Sequence, residues 1–249
     1  MTEALWLWLY VAVMAAGACL FLFWSRNPKG VPGYEYSIAA MIPIWSGLAY
    51  LAMAVGQGTV MIDGREVYYA RYLDWLVTTP LLLWLLGSTA TFYQANDTRL
   101  IGSLMFADVV MILSGLFADL STDQTTQWLW YAIGCVAFLL ILWQVWGPLR
   151  RIARQQGEAL AKTYTRVASY LTVFWVSYPI VWVLSPSGVG AVGPTVSTAL
   201  FVILPAFSKV GFSIFDLYEL RRLGADNPSP KAAIPPPPGH RATTRANTV

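Results

Sequence analysis

Seven apolar blocks, each about 20 residues long, constrain this chain more than any other feature. They run over Leu5–Trp24, Tyr36–Val55, Arg71–Leu86, Leu100–Phe117, Trp128–Trp146, Val167–Leu184 and Gly193–Leu217. As helices, blocks of about 20 residues cross about 30 Å of hydrocarbon. The chain is 57% hydrophobic and only 12% charged, where a soluble domain carries about 25% charged residues. The expected fold is therefore an all-α membrane protein, a seven-transmembrane-helix bundle in a lipid bilayer.

Lysines and arginines set the expected orientation. Arg26, Lys29, Arg99, Arg150, Arg151, Arg154, Lys162, Arg166, Arg221 and Arg222 all fall on one side, against Arg65 alone in the loops of the other. The N-terminus is expected outside and the C-terminus in the cytoplasm. The first block lacks a basic leader and a cleavage site, so it reads as a retained helix. Between the second and third blocks, β-prone runs flank Asp63-Gly64, which predicts a short extracellular β-hairpin with a type I′ turn. Residues 1–222 form the membrane domain. Residues 223–249, rich in proline and polar side chains, read as a disordered cytoplasmic tail. Cys19 and Cys135 both lie in apolar blocks and read as buried small hydrophobes, not a disulfide. The net charge of +3 reflects the inside-positive bias and gives no reason to expect nucleic acid. The single histidine, His240, is in the tail, which leaves no histidine-based metal site in the membrane.

Five ionisable residues stand inside apolar blocks: Arg71, Asp74, Asp108, Lys209 and Asp216. Each costs at least about 2.5–3.5 kcal/mol at a helix centre, so each is expected to be paired, cavity-facing or functional. Arg71 lies one turn before Asp74 on one helix face, and Thr78 one turn after it. Asp216 follows Lys209 by two turns, about 10 Å along the helix and close to the same azimuth. This alignment is a plausible proton path. Lys209 itself fits either an ion-paired amine in a transporter or an amine forming a Schiff base with a carbonyl ligand.

Three stretches carry a resemblance. "RYLDWLVTTPLLLWLL" (71–86), "WVSYPIVW" (175–182) and "FSKVGF" (207–212) resemble, in this order, the signatures of helices three, six and seven of the microbial rhodopsins. The resemblance implies all-trans retinal bound to Lys209 as a protonated Schiff base, and a photoactive transport or signalling protein that is not an enzyme. It implies Asp74 as counterion, Arg71 as its extracellular partner and Thr78 as a threonine near that carboxylate. Trp75, Trp175, Trp182 and Tyr178 would enclose the polyene. Met111, Tyr50 and Tyr131 would complete the pocket, with Pro179 shaping helix six and Asp108 a neutral, hydrogen-bonded group nearby. Homo-oligomers, trimers among them, are common in the family.

Two departures set the expected direction. Pro205 occupies the place, four residues before the lysine, where outward pumps usually carry a second aspartate. Leu85 occupies the place, eleven residues after the counterion, of their cytoplasmic donor. Together with Asp216, this pattern resembles the xenorhodopsin subgroup and implies an inward proton pump that releases through Asp216. The main alternative is a photosensor signalling through a soluble cytoplasmic transducer. Outward pumping, chloride pumping and a retinal-free transporter rank below it.

Overall fold

The computed structural model describes residues 2–233. Among them, seven helices are long and apolar enough to cross a membrane. They are α1 (Glu3–Trp24), α2 (Gly33–Ala54), α3 (Tyr69–Ala90), α4 (Thr98–Leu120), α5 (Gln124–Gln155), α6 (Glu158–Leu184) and α7 (Pro194–Asp226). The expected blocks all recur as helices. The fifth runs nine residues past Trp146 and the sixth begins nine residues before Val167. Hydropathy marks where a helix leaves hydrocarbon, not where its hydrogen bonding ends.

Between α2 and α3, β1 (Val60–Ile62) and β2 (Arg65–Val67) pair antiparallel, with Ile62 opposite Arg65. Asp63 and Gly64 both have positive φ, 47° and 77°, the backbone that a type I′ turn requires. Arg65 anchors this hairpin to the end of α4 through Asp119, 3.4 Å away.

α3 is the central helix: 72% of its apolar window is buried, against 28% for α4. Large apolar side chains such as Phe23, Leu48, Phe106, Leu139, Trp143 and Val173 point outward, a surface suited to lipid and not to water. Cys19 belongs to that surface and is not the buried hydrophobe its apolar block suggested, because hydropathy does not distinguish a lipid-facing side of a helix from a protein-facing one.

Two helices contain widened π-type turns, Val145–Leu149 in α5 and Ala206–Gly211 in α7. The first contains Pro148 and the second directly follows Pro205. Proline has no N–H to give the carbonyl four residues earlier. For Pro205 that carbonyl belongs to Phe201, and the Tyr50 hydroxyl supplies the missing bond at 2.6 Å. Tyrosines also reach carbonyls within the widened turns: Tyr164 donates to Val145 at 2.7 Å and Tyr170 to Phe207 at 3.1 Å. In hydrocarbon such carbonyls would otherwise have no partner.

The expected tail boundary at 222/223 falls inside α7. The chain stays helical through Asp226, then forms a 3₁₀ turn at Pro230–Ala233. Polar composition suggested a solvated segment, but this stretch is held by specific bonds: the Ser229 hydroxyl donates to the Phe92 carbonyl at 2.6 Å and its amide to the Gly30 carbonyl at 3.0 Å. The expected disorder of residues 234–249 lies outside the described residues.

Gly30 has φ +75°, and a Cβ there would lie 2.3 Å from the Gly224 carbonyl oxygen. Gly30→Ala should therefore cost about 1–3 kcal/mol by overpacking. It should also lift the segment after α7, read as faster protease cleavage within 227–233 and a lower denaturation midpoint.

Candidate functional site

Lys209 sits within the widened turn of α7 and is 1% exposed. Its Nζ lies 2.5 Å from Asp74 Oδ2, and Asp74 is fully buried. A second contact, to Ser46 Oγ, is 2.9 Å long. Ser46 donates in turn to Asp74 Oδ2 at 3.0 Å and pairs with the Tyr10 hydroxyl at 2.7 Å. Thr78 Oγ1 is 3.3 Å from Asp74 Oδ1 and 2.8 Å from the Asp74 carbonyl oxygen. A buried ammonium thus meets a buried carboxylate whose two oxygens receive two further donors, Ser46 and Thr78. Such a pair is tolerable in a low-dielectric interior only with this degree of hydrogen bonding. Ser46 and Tyr10 were not singled out in the sequence. They are ordinary residues of α2 and α1 until folding brings them to the amine.

Arg71 departs from its expected place beside Asp74. It forms no ion pair with Asp74 within 4 Å, and its guanidinium carbon lies 4.4 Å from the centre of the Phe201 ring and 5.1 Å from that of Tyr68. The oxygens of Asp74 are already taken by Lys209, Ser46 and Thr78, so the cation settles over aromatic faces.

An apolar cavity lies between α3, α4, α5, α6 and α7; Lys209 and Asp74 are not in its lining, but Trp75, next to Asp74 in α3, is. Seven expected residues line it: Trp75, Met111, Tyr131, Trp175, Tyr178, Pro179 and Trp182. Tyr131 and Trp182 stack at 4.8 Å, and Trp75 meets Tyr178 edge-on at 5.4 Å. Gly115 and Gly134, also in the lining, contribute no side chain, which keeps the cavity open. Tyr72, Thr79, Ile112, Cys135, Phe138 and Phe201 complete it and were missed. In a sequence this aromatic they carry no signal apart from the fold. Tyr72 also links the cavity to the hairpin: its hydroxyl donates to Asp119 at 3.0 Å and accepts from Trp182 Nε1 at 3.2 Å.

Tyr50 does not line the cavity. It is fully buried, meets the Tyr10 ring at a tilt with centroids 3.8 Å apart and bonds the Phe201 carbonyl, so its place follows from the backbone gap that Pro205 creates. Pro205 is buried in α7 outside the lining. Asp108 also lies outside it. Thr79 donates to its Oδ2 at 2.6 Å, and its Oδ1 has no partner among the described residues.

Toward the end away from the hairpin, Leu85 is fully buried among apolar side chains. Asp216 is fully buried too. Its Oδ1 accepts from Thr89 at 2.7 Å, and its Oδ2 has no partner among the described residues. Ser213, four residues after Lys209 and three before Asp216, carries a buried hydroxyl likewise without a partner. It is placed between the two along α7. No signal in the sequence separated it from other helix serines.

Three comparisons bear on this arrangement. The family model described as "Bacteriorhodopsin-like protein" matches residues 1–223. Sensory rhodopsin-2 of Natronomonas pharaonis is 31% identical over 228 residues, covering 91% of this chain and 93% of its own. Among solved structures, thermophilic rhodopsin from Rubrobacter xylanophilus aligns with a TM-score of 0.84 at 36% identity, covering 90% of this chain and 98% of its own. A light-driven proton pump from Leptosphaeria maculans aligns at 0.81 and 28%, covering 88% and 96%. Bacteriorhodopsin-like proteins bind retinal through a Schiff base to lysine. The residues here fit that group: an aromatic, apolar cavity suits a polyene, a buried lysine holds an anionic partner, and Tyr178 of the lining bonds Ser208, the lysine's neighbour in the chain. The ammonium of Lys209 stands in for the Schiff-base nitrogen.

Asp74→Asn would leave the Lys209 amine buried without an anion. Loss of about 3–5 kcal/mol is expected, as for other broken buried pairs, measured as a lower unfolding midpoint of the protein without retinal.

Proposed function

This chain belongs to the bacteriorhodopsin-like family of microbial rhodopsins, and from that premise we propose that it is a light-driven inward proton pump of the xenorhodopsin type. Retinal on Lys209 supplies the light-driven change and carries the Schiff-base proton. Asp74 acts as counterion, supported by Ser46 and Thr78. These donors hold the carboxylate in place beside the lysine. Pro205 leaves no second carboxylate one turn before Lys209. Leu85 puts a fully buried apolar side chain at the place of a donor carboxylate in the opposite half of α3.

The observation that carries the inward direction is Asp216. It lies on the same helix as Lys209, fully buried, with one oxygen uncommitted among the described residues. It accepts the proton, with the Ser213 hydroxyl as an intermediate station. Uptake then comes from the hairpin side, past Arg71. In this reading the hairpin is extracellular and the C-terminus cytoplasmic. The concentration of Arg and Lys at the end away from the hairpin supports that orientation.

A second reading, a photosensor with a soluble transducer, is favoured by the likeness to sensory rhodopsin-2. It predicts a light-dependent complex and no net transport.

Illuminating cells that express the protein should raise external pH, and a protonophore should abolish the change. Acidification would overturn the direction, and no change with an intact pigment would favour the sensor. Asp216→Asn should lower the initial transport rate on the order of a hundredfold, the scale of losing a positioned acid–base group, with the colour nearly intact. Lys209→Ala should give no covalent pigment, read as absent visible absorption after retinal addition.

A further inference from the structure

Beyond Asp216 lies a second buried carboxylate. Glu35, near the start of α2, is fully buried; its Oε1 accepts a short hydrogen bond from the Ser88 hydroxyl, and its Oε2 has no partner among the described residues. Ser88 and Thr89 are consecutive in α3, so the side chains that bond Glu35 and Asp216 hang from adjacent positions. The Tyr34 hydroxyl joins the group, 2.9 Å from Ser88 Oγ.

The chain folds over this group after α7. Ser229 pins the fold-back through Phe92 and Gly30. Two residues on, Lys231 Nζ lies 2.8 Å from Asn96 Oδ1, 3.4 Å from the Ser88 carbonyl oxygen and 3.5 Å from Ser88 Oγ. Ser88 therefore stands between the Lys231 ammonium and the Glu35 carboxylate. A serine hydroxyl has one proton to donate. Lys231 donates from one side while the Ser88 proton goes to Glu35 on the other, a polarised chain that favours negative charge on Glu35.

We propose that Lys231 is a positioning residue for proton release: its charge, delivered through Ser88, makes Glu35 the terminal acceptor after Asp216, under the strap 227–233. This rests on the inward-pump reading above. The proton leaves the Asp216 carboxyl, restoring that carboxylate, and forms a new O–H bond on Glu35. Glu35 then loses it to water at the cytoplasmic face.

Burial pulls the Lys231 ammonium down to about 8, with Glu35 as the opposing influence. The titratable groups facing it are Glu35 and Tyr34 from α2, with Asp216 from α7 behind Ser88 and Thr89; Asn96 and Ser88 are neutral. Lys231 is thus charged at neutral pH and loses its charge as cytoplasmic pH rises through about 8.

The test uses the full-length pigment in vesicles of known orientation, with a pH dye on the release side after a flash. Lys231→Ala and Lys231→Gln should slow release roughly tenfold near neutral pH, the equivalent of about one pKa unit, with visible absorption unchanged. Wild-type release should slow as pH passes about 8. Lys231→Arg should release normally without that alkaline slowing, because arginine keeps its charge. Glu35→Gln should be equally slow, and adding Lys231→Ala to it should slow release no further. Wild-type release rates in both neutral Lys231 variants, or additive slowing in the double variant, would overturn the proposal. Outward transport by the wild type would overturn the direction alone, and infrared spectra would then decide the role of Lys231. A protonated-carboxyl band that is removed by Glu35→Gln, absent from dark wild type and present in dark Lys231→Ala supports it. The same band in both dark proteins overturns it.

Discussion

The contact between Lys209 and Asp74 is the one on which the rest of this structure depends. Two opposite charges at 2.5 Å, 1% and 0% exposed, lie where water cannot solvate them. Their attraction offsets desolvation only if every remaining donor and acceptor is also placed. That requirement reaches outward through the bundle. Ser46 must come from α2, Tyr10 from α1 and Thr78 from the next turn of α3. Arg71, excluded from the filled carboxylate, rests on Tyr68 and Phe201 instead. The result is an amine whose anion is held in one place by donors from three helices.

A second constraint follows from proline in a medium without water. Pro205 removes a backbone donor one turn before the functional lysine, and Tyr50 restores the bond from another helix. The widened turn that follows holds Lys209 and leaves the Phe207 carbonyl to Tyr170. In this chain, the proline four residues before the lysine thus reshapes the helix that carries it.

Much of this was legible in the sequence, for identifiable reasons. Helix number came from hydropathy, and the hairpin from Asp63-Gly64, whose positive φ values match the expected turn. Asp74, Lys209 and Asp216 announced themselves because a charge in an apolar block has no cheap explanation. The cavity aromatics Trp75, Trp175, Tyr178 and Trp182 came from motif resemblance. The failures were of another kind. Tyr50 was assigned to the pocket but caps a carbonyl, because a tyrosine in an apolar helix gives no sign of which neighbour it meets. Glu35, one residue before the second apolar block, was not singled out, yet it is fully buried. The segment after Asp226 looked solvated because its composition is polar, although Ser229 and Lys231 pin it through particular partners.

The sequence alone determined what solvent this chain requires, how many times it crosses it, and which few groups lack a structural excuse for being there. Those are sums over one segment at a time, and a segment carries them wherever it packs. Only the tertiary structure decided that Lys209 meets a serine 163 positions away, that Ser88 and Thr89 each bond a buried carboxylate, and that Lys231 reaches Ser88. Such contacts depend on the rotation and depth of each helix against its neighbours. Small changes in either redirect a side chain without altering the hydropathy of any segment.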